Sequence, residues 1–251
     1  MTKAQQLELA LLTLLAAGLA AAVPLGTGYF AWSWDALNHH VYLGLIAEHP
    51  RWDLDVTAAS TQSYQYPYLY WPAYRISLLT GHGAWAGAIW SSLQAVLVLV
   101  PVWFISRRLL PVVSQSWHGV AQRVAACTLA FMNAIVLIGL ETTASDVLAA
   151  VPLLWAIYAG LSERPSHTQA LTCGALWGAS VACKLSNGLF LPLVLFWWWQ
   201  QQRPHLSLVR GAAIAAGAAA GFGLLYAPWG LHLWRLTGNP FYPFAGQLFG
   251  T

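Results

Sequence analysis

The chain has 251 residues, 58% of them hydrophobic and only 8% charged, with a formal net charge of +3 from 11 basic and 8 acidic side chains. Soluble domains carry about 25% charged residues, and so sparse a set cannot cover a water-facing surface of this size. The composition excludes a soluble enzyme and a disordered chain, and the few cations cannot build a surface that tracks nucleic-acid phosphates.

Long apolar runs without the alternation of barrel strands point to an all-α, polytopic transmembrane bundle, a single domain over 1–251. The first run, 7–24, exceeds the roughly 7–15 residues of a signal-peptide core and is expected to be an uncleaved span. A polar segment at 25–83 follows, far longer than ordinary connections of about 4–6 residues. Further runs at 84–105, 124–140, 147–161, 170–183, 185–199 and 208–228 bring the expected number of spans to about seven. The fifth and sixth are short for a bilayer, which asks for roughly 17–25 residues. One tilted helix over 170–199 is the alternative, at an insertion cost of about 2.5–3.5 kcal/mol for a mid-membrane Lys184. The turn-forming run Lys184-Leu185-Ser186-Asn187-Gly188 favours a hairpin.

An N-inside orientation places Lys3, Arg107, Arg108, Arg123, Arg164, Arg203 and Arg210 in the cytoplasm, leaving Arg51, Arg75, Lys184 and Arg235 outside. Trp32, Trp34, Trp103, Trp197–Trp199, Trp229 and Trp234 fall where membrane interfaces are expected. The Gly/Ala-rich stretch from Gly211 to Gly223 suits close helix packing, and Cys127, Cys173 and Cys183 read as small buried hydrophobes.

Polarity concentrates in 25–83, the first extracytoplasmic loop of this orientation, with Asp35, Glu48, Asp53, Asp55, His39, His40, His49 and His82. At helical spacing Asp35 and His39 share a face, and a carboxylate there can take a proton from an attacking hydroxyl. Asp35 can equally be the N-cap of a helix carrying Leu37, Val41 and Leu45. Asp35 with His39 or His40 could host a divalent metal, and Asp53 with Asp55 forms a weak D-x-D match; no spacing compels a metal. Gln62-Ser63-Tyr64-Gln65-Tyr66-Pro67 offers hydroxyls and rings to a sugar, or packs as a loop on the membrane surface. Glu141 and Asp146 flank a turn between spans, where Asp146 is a candidate cap or site residue. Lys184 either snorkels or holds a lipid phosphate, and Arg235 is a second outward cation beside the turn at Asn239.

Separated stretches then resemble one family. Asp35-Ala36-Leu37-Asn38-His39-His40 resembles the D-A-L-N-Y-H segment after the first helix of bacterial GT-C membrane glycosyltransferases, the polyprenyl-phosphate-sugar-dependent class. Gln62-Ser63-Tyr64 with Pro67 resembles the Q-S-Y-x-N-P of one branch, Lys184-Leu185-Ser186-Asn187 its K-L-T-N turn, and Thr237-Gly238-Asn239-Pro240 with Pro243 its T-G-N-P-x-x-P loop. His39 stands where the family has Tyr, and Tyr66 where the branch has Asn.

The resemblance implies a multi-pass protein of the bacterial cytoplasmic membrane that carries out inverting sugar transfer on the outer face. The donor would be a polyprenyl-phosphate sugar and the acceptor a lipid, glycan or protein. By position Asp35 would be the general base with His40 beside it, and Lys184 would face the donor phosphate. His39, Gln62, Tyr64, Glu141, Asp146, Arg235 and Asn239 complete the candidate substrate-binding set. Family members continue with more helices after the T-G-N-P loop, so a second membrane subunit, or a truncated or divergent form, is expected. A non-catalytic lipid-carrier-binding subunit and a transporter or flippase are the competing readings; the concentration of polar groups outside the spans counts against transport.

Overall fold

The computed structural model describes residues 1–30, 33–52, 54–55, 59–110, 116–162, 166–192, 194–195 and 208–250, and contains no strand among them. Asp53, Arg164, Arg203, Trp32, and residues 193 and 196–199 of the 185–199 run, Trp197–Trp199 among them, lie outside the described residues.

Helix α1 (Lys3–Thr27) opens on a capping box between Thr2 and Gln5 and closes at Gly28, whose φ of +84° is one that favours glycine. The segment after it is not an open loop. It folds into a π-helical turn (Ala36–His40) continued by α2 (Val41–Ile46), 3-10 turns at Ser60–Tyr64 and Pro67–Leu69, and α3 (Trp71–Thr80). Helix α4 (Gly83–Leu109) returns antiparallel to α1, with Ser92 Oγ donating to the Ala17 carbonyl at 2.9 Å. The expected third span divides into α5 (Trp117–Phe131) and α6 (Ala134–Glu141), separated at Met132 and Asn133. Then come α7 (Asp146–Gly160), α8 (His167–Cys183) and α9 (Leu208–Thr237).

Three of these helices, α1, α4 and α9, are long and apolar enough to cross a membrane, and α7 is a shorter apolar helix. At about 1.5 Å per residue, each of the three exceeds a hydrocarbon core of roughly 30 Å. Exposed Leu7, Leu11, Leu14 and Leu19 on α1 suit contact with lipid.

Helices α8 and α9 pack backbone to backbone. A Cβ added at Gly174 or Gly178 would lie 2.0 Å from the Ile214 carbonyl or 2.1 Å from that of Ala218; one added at Gly217 or Gly221 would lie 2.1 Å and 2.0 Å from those of Leu171 and Ala175. These are small-xxx-small faces on both partners, the pattern by which membrane helices approach closely. The pairing 171 to 217 and 175 to 221 makes the two helices parallel. Helix α8 ends at Lys184, where φ and ψ of −151° and 108° are extended. A 3-10 turn over Leu185–Phe190 follows, so 170–199 is not one continuous helix.

Away from Gly28, the bundle is tied by an ion pair that hydropathy does not reveal. Glu8 accepts bidentate hydrogen bonds from Arg123 Nε and Nη2 at 2.7 and 2.6 Å, and another from Trp103 Nε1 at 2.9 Å. Arg123 and Trp103 are fully buried. Arg107 lies 5.1 Å from the Trp103 ring, and Arg108 lies 3.9 Å from that of Tyr158. Trp103 and Trp229 are thus core residues rather than interface anchors, whereas Trp34 and Trp234 are exposed. Cys127 and Cys173 are buried in apolar surroundings as expected; Cys183 is half-buried and reaches the cavity described next.

Candidate functional site

At the Gly28 end of the bundle a cavity of about 380 Å³ opens between the segment after α1, the α6–α7 turn, the end of α8, α9 and the C-terminal loop. Asp35, His39, His40, Gln62, Tyr64, Asp146 and Lys184 all line it. Seven candidate residues from four stretches of sequence therefore meet in one place.

The π turn sets the first wall. Ser33 Oγ accepts from Ala36 N at 3.1 Å and caps the helix, so Asp35 sits inside the first turn, at φ −65° and ψ −36°, without a side-chain cap bond. Its carboxylate has no hydrogen-bond or ion-pair partner among the described residues. Of the two roles open to Asp35, the cap belongs to Ser33. The wider π turn, closed by i to i+5 bonds, lets residues four and five positions on straddle Asp35, and both His39 and His40 face the cavity.

His40 is committed. Its Nδ1 lies 2.8 Å from Thr143 Oγ1, and its ring stacks on Tyr70 at 4.6 Å. Burial first, then the adjacent His39, pushes its pKa down to about 4, while Asp35 and Asp146 pull the other way. The ring is neutral at pH 7. Burial also lowers the pKa of His39, against the pull of Asp35. The Tyr70 hydroxyl donates to Gln65 Oε1 at 2.9 Å and lies 3.1 Å from Ser145 Oγ; burial pushes its pKa up to about 12, so it stays protonated.

The second wall is the α6–α7 turn. Trp90 Nε1 donates to the Thr142 carbonyl at 2.8 Å, and Gln94 Nε2 to those of Gly139 and Leu140 at 3.1 Å. These buried donors on α4 hold the turn that presents Thr143, Ser145 and Asp146. Lys184 pairs with Asp146 across the gap to α8. The lysine is placed by Asn187, whose Nδ2 bonds Ser180 Oγ at 2.8 Å and the Ala149 carbonyl at 3.2 Å.

The third wall is aromatic. Tyr64 stacks on Trp52 at 4.8 Å and meets Tyr242 edge-on at 4.9 Å. Tyr66, Tyr226 and Phe244 continue the lining.

Arg235 and Asn239 do not line the cavity. Arg235 is exposed on α9. Asn239 is buried and braces its loop, Nδ2 donating to the Phe244 carbonyl at 2.7 Å and Oδ1 accepting from Phe241 N at 2.9 Å. That loop carries Tyr242 and Phe244, which do reach the cavity. The Glu141 side chain lies outside the described residues. Among the described residues no group of three or more His, Cys, Asp or Glu is arranged to hold a metal ion, and His40 Nδ1 is engaged by Thr143 Oγ1.

Thr143, Ser145, Tyr70, Tyr226 and Phe244 were not singled out by sequence. Ser145 and Thr143 lie inside the turn that Glu141 and Asp146 mark, and Gln94 is a polar residue within an apolar span, a recognised sign of function or packing. Tyr226 and Phe244 carry no such signal. No family model matches this chain, and neither the curated proteins nor the solved structures provide a match.

Proposed function

We propose that this chain is an integral membrane glycosyltransferase of the GT-C type, with about seven spans and its N-terminus inside the bacterial cytoplasmic membrane. It moves a sugar from a polyprenyl-phosphate donor to a lipid, glycan or protein acceptor on the outer face. The observation that carries the reading is the meeting of an unpartnered carboxylate, Asp35, with a lysine, Lys184, in a cavity of about 380 Å³ beside the membrane-spanning helices. That volume lies within the roughly 300–1,000 Å³ of ligand pockets, enough for a monosaccharide and its phosphate. The basic residues Lys3, Arg107, Arg108, Arg123 and Arg210 gather at the opposite end of the helices, which supports the orientation.

In this reading Asp35 accepts the proton of the acceptor hydroxyl as its oxygen attacks the anomeric carbon. The bond from that carbon to the phosphate oxygen breaks with inversion, and its electron pair leaves on the phosphate. Lys184, released from Asp146, offsets the charge that grows there. His40 is a positioning residue that joins the π turn to Thr143. Incubating the purified chain with a panel of polyprenyl-phosphate sugars and following the lipids by mass spectrometry tests the reading. Consumption of a donor by wild type that Asp35→Ala abolishes is expected; a folded wild type that consumes none refutes it.

A further inference from the structure

One polar group in the cavity has no task in that scheme. His39 is 2% exposed, makes no hydrogen bond to any described residue, and keeps Nδ1 closed off from solvent without a partner. Its packing is an edge contact with the His40 ring at 4.4 Å and 72° and a looser one with Tyr70 at 6.4 Å. An apolar ring would make those contacts without leaving a buried nitrogen unpaired, which costs free energy. With Nδ1 closed off, Nε2 is the nitrogen left to the cavity, whose wall this ring forms together with Asp35 and His40.

The chemistry of the ring narrows what it can receive. A buried imidazole stays neutral near pH 7 and presents one N–H donor and one lone pair. A hydroxyl, itself donor and acceptor, suits Nε2 in either tautomer. A phosphate would call for the charged form, and Lys184 already supplies a cation. The Tyr64 and Tyr242 rings in the same cavity add faces and edges suited to the C–H surface of a sugar.

We propose that His39 recognises a ring hydroxyl of the donor sugar and so lets the cavity prefer a glycosylated carrier over the bare carrier phosphate. The proposal rests on the glycosyl-transfer reading and assigns the sugar subsite to a residue which that reading does not use.

The test is equilibrium binding to the full chain in lipid nanodiscs. The probes are a short polyprenyl phosphate, its sugar phosphodiester, and the series of monodeoxy analogues of that phosphodiester. Wild type is expected to bind the glycosylated carrier more tightly than the bare one. His39→Phe should lose about 5- to 150-fold on the glycosylated carrier alone, and one monodeoxy analogue should bind wild type and variant equally. His39→Gln, which keeps a donor and an acceptor, should recover part of the loss and carries the test if His39→Phe fails to fold. If His39→Phe, or His39→Gln in its place, leaves the preference and the deoxy pattern unchanged, the His39 assignment falls and glycosyl transfer stands. A wild type that does not distinguish the two carriers overturns the donor-sugar reading itself.

Discussion

Replacing Asp35 by alanine separates two roles that a carboxylate at a helix start can play. Were Asp35 the cap, its loss would cost about 0.5–2 kcal/mol. Ser33 makes the cap bond instead, at 3.1 Å to Ala36 N, and Asp35 has no hydrogen-bond or ion-pair partner among the described residues. The substitution should then stay within about 0.5 kcal/mol of wild type, the usual range for exposed positions. In the proposed role of general base, by contrast, its loss should cost about 10²- to 10⁴-fold in rate, equivalent to about 2.7–5.4 kcal/mol of barrier. Ser33→Ala is the converse: about 1 kcal/mol of stability lost, a melting point lower by about 2–4 °C, and transfer close to wild type. The assay is donor turnover by mass spectrometry beside thermal melts of the same preparations. Transfer by Asp35→Ala within tenfold of wild type, or a melting loss equal to that of Ser33→Ala, refutes the assignment.

Lys184→Met should weaken binding of the bare carrier phosphate by about 10- to 150-fold, the loss of one charge-assisted hydrogen bond, while Asp146→Asn should strengthen it by freeing the lysine. Both are measured by nanodisc titration, and both should stay within about 1 kcal/mol in stability because the pair is 35% and 51% exposed. Since burial holds His40 near a pKa of about 4 against an ordinary 6.5, the unfolded chain binds the extra proton first as pH falls. Stability is therefore flat above pH 6.5 and declines from there towards pH 4, with His39 adding in the same direction; melts of His40→Gln across this window should show a shallower decline. Gly178→Ala and Gly221→Ala should each cost about 1–3 kcal/mol or more by forcing α8 and α9 apart. Gly223→Ala, with nothing within 4 Å of its added methyl, should be neutral or stabilising by about 0.5–1 kcal/mol; equal effects in melts of all three variants would refute the interlock.

Much of the site was legible because the chain has so few polar residues that those outside the spans stand out. Asp35, His39, Gln62, Tyr64, Asp146 and Lys184 could be selected on that ground alone. Spacing could not show that the cap falls to Ser33 rather than Asp35, since that depends on a hydroxyl two residues earlier and on a π turn without a sequence signature. Thr143 and Tyr70 escaped notice because their bonds to His40 and Ser145 reach across 103 and 75 residues. Asn239 was chosen from a motif whose job here is to shape the loop, and Arg235 from charge alone. In the fold, the apolar run through Met132 and Asn133 hides the break between α5 and α6, for hydropathy registers composition and not chain direction.

The contact between α8 and α9 also acts as a ruler. Because carbonyl oxygens occupy the places that methyl groups would fill at Gly174, Gly178, Gly217 and Gly221, one helix cannot slide along the other without backbone collision. The nearest equivalent seating is about a full turn away, some 5.4 Å. Lys184 at the tip of α8 and Tyr226 on α9 are thereby held at a constant axial offset. The cation and the aromatic wall form the fixed jaw of a calliper, and any widening of the cavity falls to the opposing jaw, the π turn carrying Asp35.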